Sequence, residues 1–241
     1  MYQRAYFPTK TIKLTQGYGK KSGSHVYSYA LDLGGVYRPF APFDCKVTKI
    51  YKPKSVKKSR EVWLTSTKKV LCANGYYGYL TVSITHPAGI INMRLGKTYK
   101  QFDDLGITTA EMTGTNSGSH VHLEVSKGSD AGWDEKIIKK YGEYVNVNKV
   151  KPEEYLFVVK DGKITDNEYK GDYYKFIKES DITYKVTGVP SEPLIIRTKP
   201  YPLGHKIGEL YNGNEVLKFN DKALVYHYDC LGYTSKKYLK K

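Results

Sequence analysis

The sequence predicts a mainly β protein: an antiparallel β-sheet domain followed by a small β-barrel. Three observations predict it. Short runs rich in β-branched and aromatic residues alternate apolar with polar positions along most of the chain. Gly, Pro, Asn or Ser bounds nearly every run, as turns between strands require. Only two short segments carry a helical pattern. With 241 residues and 40% hydrophobic content, the chain has enough apolar material for one large core or two modest ones.

Taken in order, the strand candidates of the first part are Tyr27–Leu33, Cys45–Tyr51, Glu61–Thr65, Tyr79–Thr85 and His120–Val125. Asn74-Gly75 falls between two such runs and predicts a tight hairpin turn, because both residues tolerate the left-handed backbone that such a turn needs. Asp134 to Tyr141 predicts a short amphipathic helix through Ile137, Ile138 and Tyr141. Pro152 to Phe157 predicts a second, opened by a proline and two glutamates. Residues 156–180 have lower apolar density and mixed charge, and read as a linker with at most one hairpin. Five further strands follow, at Thr183–Thr187, Leu194–Arg197, Lys206–Leu210, Glu215–Lys218 and Ala223–Tyr228, at the spacing of a small barrel. The expected division is therefore 1–155, a linker 156–180, and 181–241.

Charge narrows the partner class. The net charge is +15, of which +11 lies in residues 1–155, with the densest run between Lys49 and Arg60. Such a field implies anionic surroundings: nucleic acid, anionic lipid or the phosphate-rich polymers of a bacterial wall. Only five arginines are present, and they are dispersed, which argues against nucleic acid, where bidentate arginine contacts are expected. No run approaches the roughly 20 apolar residues of a membrane span. The first residues lack the apolar core of a signal peptide. Cys45, Cys72 and Cys230 are too few and scattered for a disulfide framework or a Cys-x-x-Cys metal site.

The histidines carry the chemistry. In His120-Val-His122 the two imidazoles, two apart on a strand, share one face. They can hold a metal, divide metal binding and proton transfer, or simply face solvent. The turn residues 114–119 before them allow close backbone approach to a ligand. Asp32 sits inside the apolar run Tyr29–Leu33, where a carboxylate must be paired, hydrogen-bonded or metal-bound, or must cap the Gly34-Gly35 turn. His25 lies just before that run. Two histidines and an aspartate suffice for catalytic zinc, which takes three protein ligands and leaves one position open.

These motifs resemble the lysostaphin-type (LytM-like) zinc endopeptidases that cleave peptides in bacterial peptidoglycan. Ser24-His25 with Tyr29-Ala-Leu-Asp32 resembles that family's first motif, and Gly118-Ser-His120-Val-His122-Leu-Glu-Val125 its Gly-x-His-x-His-x-x-Val motif. Leu80–His86 resembles the intervening strand and histidine, and Arg94-Leu-Gly96 the step after it. The match covers roughly residues 12–125. The resemblance implies a zinc groove with ligands His25, Asp32 and His122, and with His86 and His120 as catalytic histidines that do not bind metal. The sequence departs from the family in two places. Many members space the first two ligands four apart, which would put Ser28 at the first position; the seven-residue spacing here selects His25. The usual Tyr-x-His-Leu context of the middle histidine is absent, and His86 is preferred to Arg94 for that position. Glu124, on the strand face of His122, reads either as an exposed strand residue or as support for the ligand.

The resemblance implies a water activated on zinc, with His120 or His86 taking its proton and protonating the leaving amine. After the linker, Tyr184–Gly188, Leu194–Pro200, Gly204–Leu210 and Gly232–Leu239 resemble a bacterial SH3-type cell-wall-binding domain, with Ile195 and Tyr233 where Asn and Trp are usual. Its tyrosines (Tyr184, Tyr201, Tyr211, Tyr226, Tyr228, Tyr233) would line an aromatic groove or fill the barrel; His205 and His227 read as structural. The implied partners are peptidoglycan and anionic wall polymers such as teichoic acids, acted on by a monomer without membrane insertion. Two other readings compete. One is a wall-binding or regulatory protein with a degenerate peptidase fold. The other is a cysteine peptidase or amidase using Cys45 or Cys72 with His86. The absent signal peptide leads to the expectation of a phage endolysin or tail-associated lysin. It would be made in the host cytoplasm and released to, or delivered at, the wall. Lysine and tyrosine usage suggests a low-GC Gram-positive host or its phage.

Overall fold

The structure, a computed structural model, describes residues 2–19, 25–51, 61–86, 93–108, 119–130, 132–142, 144–166, 168–169, 172–190 and 193–241. It is mainly β, with antiparallel sheets. In chain order the first part holds β1 (Thr11–Gln16), β2 (Leu31–Gly34), β3 (Cys45–Tyr51), β4 (Glu61–Ser66), β5 (Val70–Leu71), β6 (Tyr77–Gly78), β7 (Leu80–Thr85), β8 (Thr98–Tyr99) and β9 (His120–Lys127). Then come helix α1 (Glu135–Tyr141), β10 (Lys149–Val150), α2 (Pro152–Tyr155), β11 (Phe157–Val158) and β12 (Lys163–Asp166).

The main sheet runs β12-β1-β2-β9-β7-β4-β3-β8, with β10 also on β9; only the β1–β12 pair is parallel. β1, between β12 and β2, has one face covered and one in water: Ile12 and Leu14 point into the core while Thr11 and Lys13 face water. β7 and β9 are central and buried on both faces, so their polar positions (Thr81, Ser83, His120, Glu124 and Ser126) are buried along with the apolar ones. Leu31, Leu33, Leu64, Leu80, Val82, Val121 and Leu123 make the middle of the core. Asn74-Gly75 turns the β5–β6 hairpin, with Gly75 at φ +84°. Asp134 caps α1 by accepting from the backbone N–H of Lys136 and Ile137, and Gly142 ends it in the left-handed conformation.

The segment expected as a linker carries paired strands. After β12 come β13 (Glu168–Tyr169), β14 (Asp172–Tyr173), β15 (Ile177–Lys178) and α3 (Glu179–Ile182). β13 and β14 form the one hairpin, while β12 pairs with β1 and β15 with β11. Phe157, Tyr174 and Phe176 are buried, and the Phe176 ring meets Phe7 edge-on at 5.4 Å. Leu156, Val158, Tyr174 and Phe176 join the core of the first part, which mean composition does not reveal.

The last part holds β16 (Thr183–Val186), β17 (Leu194–Arg197), β18 (Lys206–Leu210), β19 (Glu215–Lys218), β20 (Leu224–His227), β21 (Cys230–Tyr233) and β22 (Leu239–Lys240). They form one antiparallel sheet in the order β18-β17-β21-β20-β19-β16-β22 around Val186, Ile196, Leu210, Val216 and Val225. The pairing runs as a seven-stranded path, and among the described residues no pairing joins β18 to β22. Strand spacing sets strand number but not closure. Leu217 and Tyr226 of this sheet pack on Leu71 of the first part. Among the described residues no helix is long and apolar enough to cross a membrane.

Candidate metal centre

Strand register builds the site. Gln16 of β1 lies opposite Asp32 of β2, Asp32 opposite His122 of β9, His122 opposite Thr85 of β7, and Thr85 opposite Glu61 of β4. Directly opposed residues share a sheet face, so one transverse row sets Asp32 beside His122. His86 follows Thr85 at the end of β7, and His120 lies two residues before His122 on the same face.

The donor atoms converge. His122 Nδ1 stands 3.0 Å from Asp32 Oδ1, and Asp32 Oδ2 lies 3.7 Å from His25 Nε2 and 3.9 Å from His120 Nε2. One ligand atom from each of His25, Asp32 and His122 falls within 4.8 Å of the others. The rings of His25 and His122 are 4.7 Å apart, those of His86 and His120 4.8 Å. The site is buried: His25, Asp32, His86 and His120 are each below a tenth exposed.

Hydrogen bonding fixes two tautomers. The Gly17 carbonyl, 3.1 Å from His25 Nδ1, can only accept. Nδ1 therefore carries the proton, and Nε2 turns its lone pair toward Asp32. His122 lies between two carboxylates, with Asp32 on Nδ1 and Glu124 Oε1 at 3.3 Å from Nε2. Burial works against charge on His122, but its hydrogen bonds to Asp32 and Glu124 prevail and raise its pKa to about 10. Burial likewise opposes charge on Asp32, yet the His122 hydrogen bond and the surrounding histidines leave its pKa lowered. The Asp32–His122 gap thus favours a positive charge, and a divalent cation there would replace the Nδ1 proton while Nε2–H stays on Glu124. The donor set of two imidazoles and a carboxylate fits zinc.

His25 and His86 are held neutral. Burial, then the charge of His122, lowers His25 to about 4. Burial, then His122 and His120, lowers His86 to about 3. His86 also sits at φ +77°, a strained backbone for a residue other than glycine, and strain of this kind gathers at functional sites.

Glu124 is buried, at 4% exposure, and not the surface strand residue that was one expectation. The Glu124 carboxylate is enclosed between His122 and Asn146. Its Oε2 accepts from the Asn146 N–H at 3.0 Å. The Asn146 side chain donates to Ser83 Oγ at 2.7 Å and accepts from Trp63 Nε1 at 2.9 Å. Sequence reasoning did not single out Asn146, which stands outside every motif and owes its place to folding back beside β9. Glu61, at the far end of the row, is raised to about 8 by burial and by the nearby charge of Glu124.

The remaining candidates lie elsewhere. Ser28 is buried with its hydroxyl accepting from the Ala30 N–H at 3.3 Å. Arg94 is exposed in the turn before β8. Cys45 and Cys72 belong to the apolar core, where burial raises the Cys45 thiol to about 12 and the Cys72 thiol higher still. Thiols held protonated there are poor nucleophiles, which removes the cysteine-peptidase reading. The 114–118 part of the turn before His120, and residues 52–60 of the basic run, lie outside the described residues. His205 is exposed, and His227 Nδ1 stands 2.9 Å from the Glu215 carbonyl.

No protein-family model matches the chain. Over 138 residues, 56% of its length, the chain is 32% identical to Morphogenesis protein 1 of Bacillus phage B103, and it spans 35% of that protein. Among solved structures it is similar to the antimicrobial peptidase lysostaphin from Staphylococcus simulans, at 16% identity and a TM-score of 0.43, over 99% of this chain and 90% of that one. It is also similar to a zinc-containing peptidase from Vibrio cholerae, at 17% identity and a TM-score of 0.36, over 52% of this chain and 36% of that one. With both TM-scores below 0.5, these two likenesses assign no activity to the chain.

Proposed function

We propose that this chain is a zinc-dependent endopeptidase that cuts peptide bonds in bacterial peptidoglycan, with residues 181–241 acting as a wall-binding module. The observation that carries the proposal is the convergence of His25, Asp32 and His122 donors within 4.8 Å beside the His86–His120 pair. The motif resemblance supplies the substrate class, and the +15 charge suits anionic wall polymers. The similarity to a phage morphogenesis protein suits a phage origin, and the lysin role rests on the motif resemblance.

Held by His25, Asp32 and His122, zinc supplies Lewis acidity and brings the pKa of a coordinated water from about 16 to about 7. The chain's own residues do the rest. His86 is neutral at pH 7 and can accept the proton of the attacking water, then return it to the leaving amine. His120, beside it, is positioned to hydrogen-bond the carbonyl oxygen as charge builds there. Glu124 keeps a proton on Nε2 of His122, and the Gly17 carbonyl keeps one on Nδ1 of His25, so both rings stay oriented. In the last sheet a groove of about 320 Å³ between Arg197, Tyr201 and Tyr233 is open for a wall peptide, whereas Tyr226 is buried in the packing against Leu71.

The test is mass spectrometry of purified peptidoglycan digested with the protein. New peptide termini are expected, abolished by a chelator and insensitive to a thiol reagent. His122→Ala and Asp32→Ala should lose zinc and cleavage together; His86→Ala and His120→Ala should keep zinc and lose cleavage. One bound zinc with no cleavage of any wall preparation would instead leave a wall-binding protein.

A further inference from the structure

We infer that Tyr174, far outside the motif region, is a positioning residue for the metal ligand His25, acting through a single peptide group. The inference rests on the metal-centre reading above.

The Tyr18 N–H donates to Tyr174 Oη at 3.0 Å, and Tyr174 Oη donates to the Tyr18 carbonyl at 3.1 Å. The Gly17 C=O and the Tyr18 N–H belong to the same planar peptide unit. Fixing the N–H therefore fixes the carbonyl, and that carbonyl accepts the His25 Nδ1–H at 3.1 Å. Rotating this one plane would turn the acceptor away from His25 and release the tautomer that points Nε2 at Asp32.

The surroundings allow the plane no alternative. A Cβ on residue 17 would lie 2.1 Å from Tyr174 Oη, so only glycine lets the phenol approach. The Tyr18 hydroxyl donates to Glu153, and its ring meets those of Tyr29 and Tyr174 edge-on at 5.1 and 5.2 Å. The Gly19 N–H donates to the His25 carbonyl at 3.1 Å, closing the loop from the other side. Tyr174 itself is buried, at 5% exposure. The ligand set is thus completed by a residue about 50 positions beyond the last ligand, in the stretch that composition marks as a linker.

The test uses the full chain with Tyr174→Phe, which keeps the ring and removes both hydrogen bonds to Tyr18. Tyr173→Phe is the control, since the Tyr173 side chain is 74% exposed. Zinc affinity is measured by competition with a chromophoric chelator well below the unfolding temperature, and the His25 ring nitrogens are followed by ¹⁵N NMR without metal. Tyr174→Phe should weaken zinc binding at least about tenfold, the lower end for loss of a partner that orients a ligand, and should shift the His25 Nδ1 resonance. The control should do neither. Unchanged affinity together with an unchanged Nδ1 resonance overturns the inference. If the parent protein binds no zinc, the metal-centre reading fails. The His25 Nδ1 resonance alone then decides for or against the Tyr174 relay.

Discussion

Zinc should stabilise the folded chain through Asp32, and removing that one carboxylate should abolish the effect. Asp32 is the hub of the site, with oxygens 3.0 Å from His122, 3.7 Å from His25 and 3.9 Å from His120. The ligands come from β2, β9 and the segment before β2, and only folding gathers them. Zinc therefore binds the native state in preference to the unfolded one, and stabilises by RT ln(1 + [Zn]/Kd). At free zinc about 100 times Kd this is about 2.7 kcal/mol, which for a chain of this size is a rise in melting temperature of about 5–10 °C. The assay is calorimetry with excess zinc, without it, and with a chelator. Asp32→Asn keeps the shape of the side chain but removes the charge that faces three imidazoles. The zinc-dependent rise should then fall below about 1 °C. An equal rise in parent and Asp32→Asn would refute the assignment of Asp32 as a ligand, and so would no rise in the parent.

Other consequences follow from named contacts. Glu124→Gln should weaken zinc binding about 10- to 100-fold in chelator competition, because the acceptor that orients His122 loses its charge; parent-like affinity would return Glu124 to a purely structural role. Phe157→Ala should cost about 3–5 kcal/mol in denaturant unfolding, since Phe157 is fully buried and its backbone bonds both Ala5 and Phe7; a loss below about 1 kcal/mol would mean that β11 is not core. Asp44 is lowered to about 2, where burial is outweighed by the Gln101 N–H and by Lys68. Its contribution, no more than about 2 kcal/mol, is present above the ordinary carboxylate pKa and vanishes as pH falls through 2. Asp44→Asn should accordingly destabilise at pH 7 and match the parent near pH 2.

The longer central strands were legible because each carries its own period-two pattern: Cys45–Tyr51 is read to the residue, and Glu61 and His120 are read as strand starts, whereas β1 was not read and β2 begins at Leu31 rather than Tyr27. Two imidazoles on one face of β9 were legible for the same reason. That pattern cannot reveal whether a face is solvated, because both faces of a central strand are covered by elements distant in sequence. Glu124 is the instance: its neighbours Asn146 and His122 satisfy it only once β9 sits between β2 and β7. Asn146 and Tyr174 carry no local signal, since their roles depend on which backbone groups they meet after folding. The 156–180 segment misleads for a related reason. Its buried apolar residues (Leu156, Phe157, Val158, Val159, Tyr174 and Phe176) sit at its start and around β14 to β15, and an average over the whole window dilutes them.

Charge accounting joins these pieces into one constraint on the site. Without a metal, burial keeps His25 and His86 neutral at pH 7, and Glu61, raised to about 8, is largely protonated. Two carboxylates, Asp32 and Glu124, then face one imidazolium, His122, which leaves a surplus negative charge in a buried place. Such a surplus is costly in a poorly solvated interior. A dication between Asp32 and His122 displaces the Nδ1 proton: the imidazole becomes neutral, and two carboxylates balance two positive charges. Glu61 adds little to this count, because burial, then the charge of Glu124, raises it to about 8. Asp32, Glu124, His122 and the protonated Glu61 are therefore together neutral around a divalent ion and carry one surplus negative charge without one, while the uncharged His86 can handle protons.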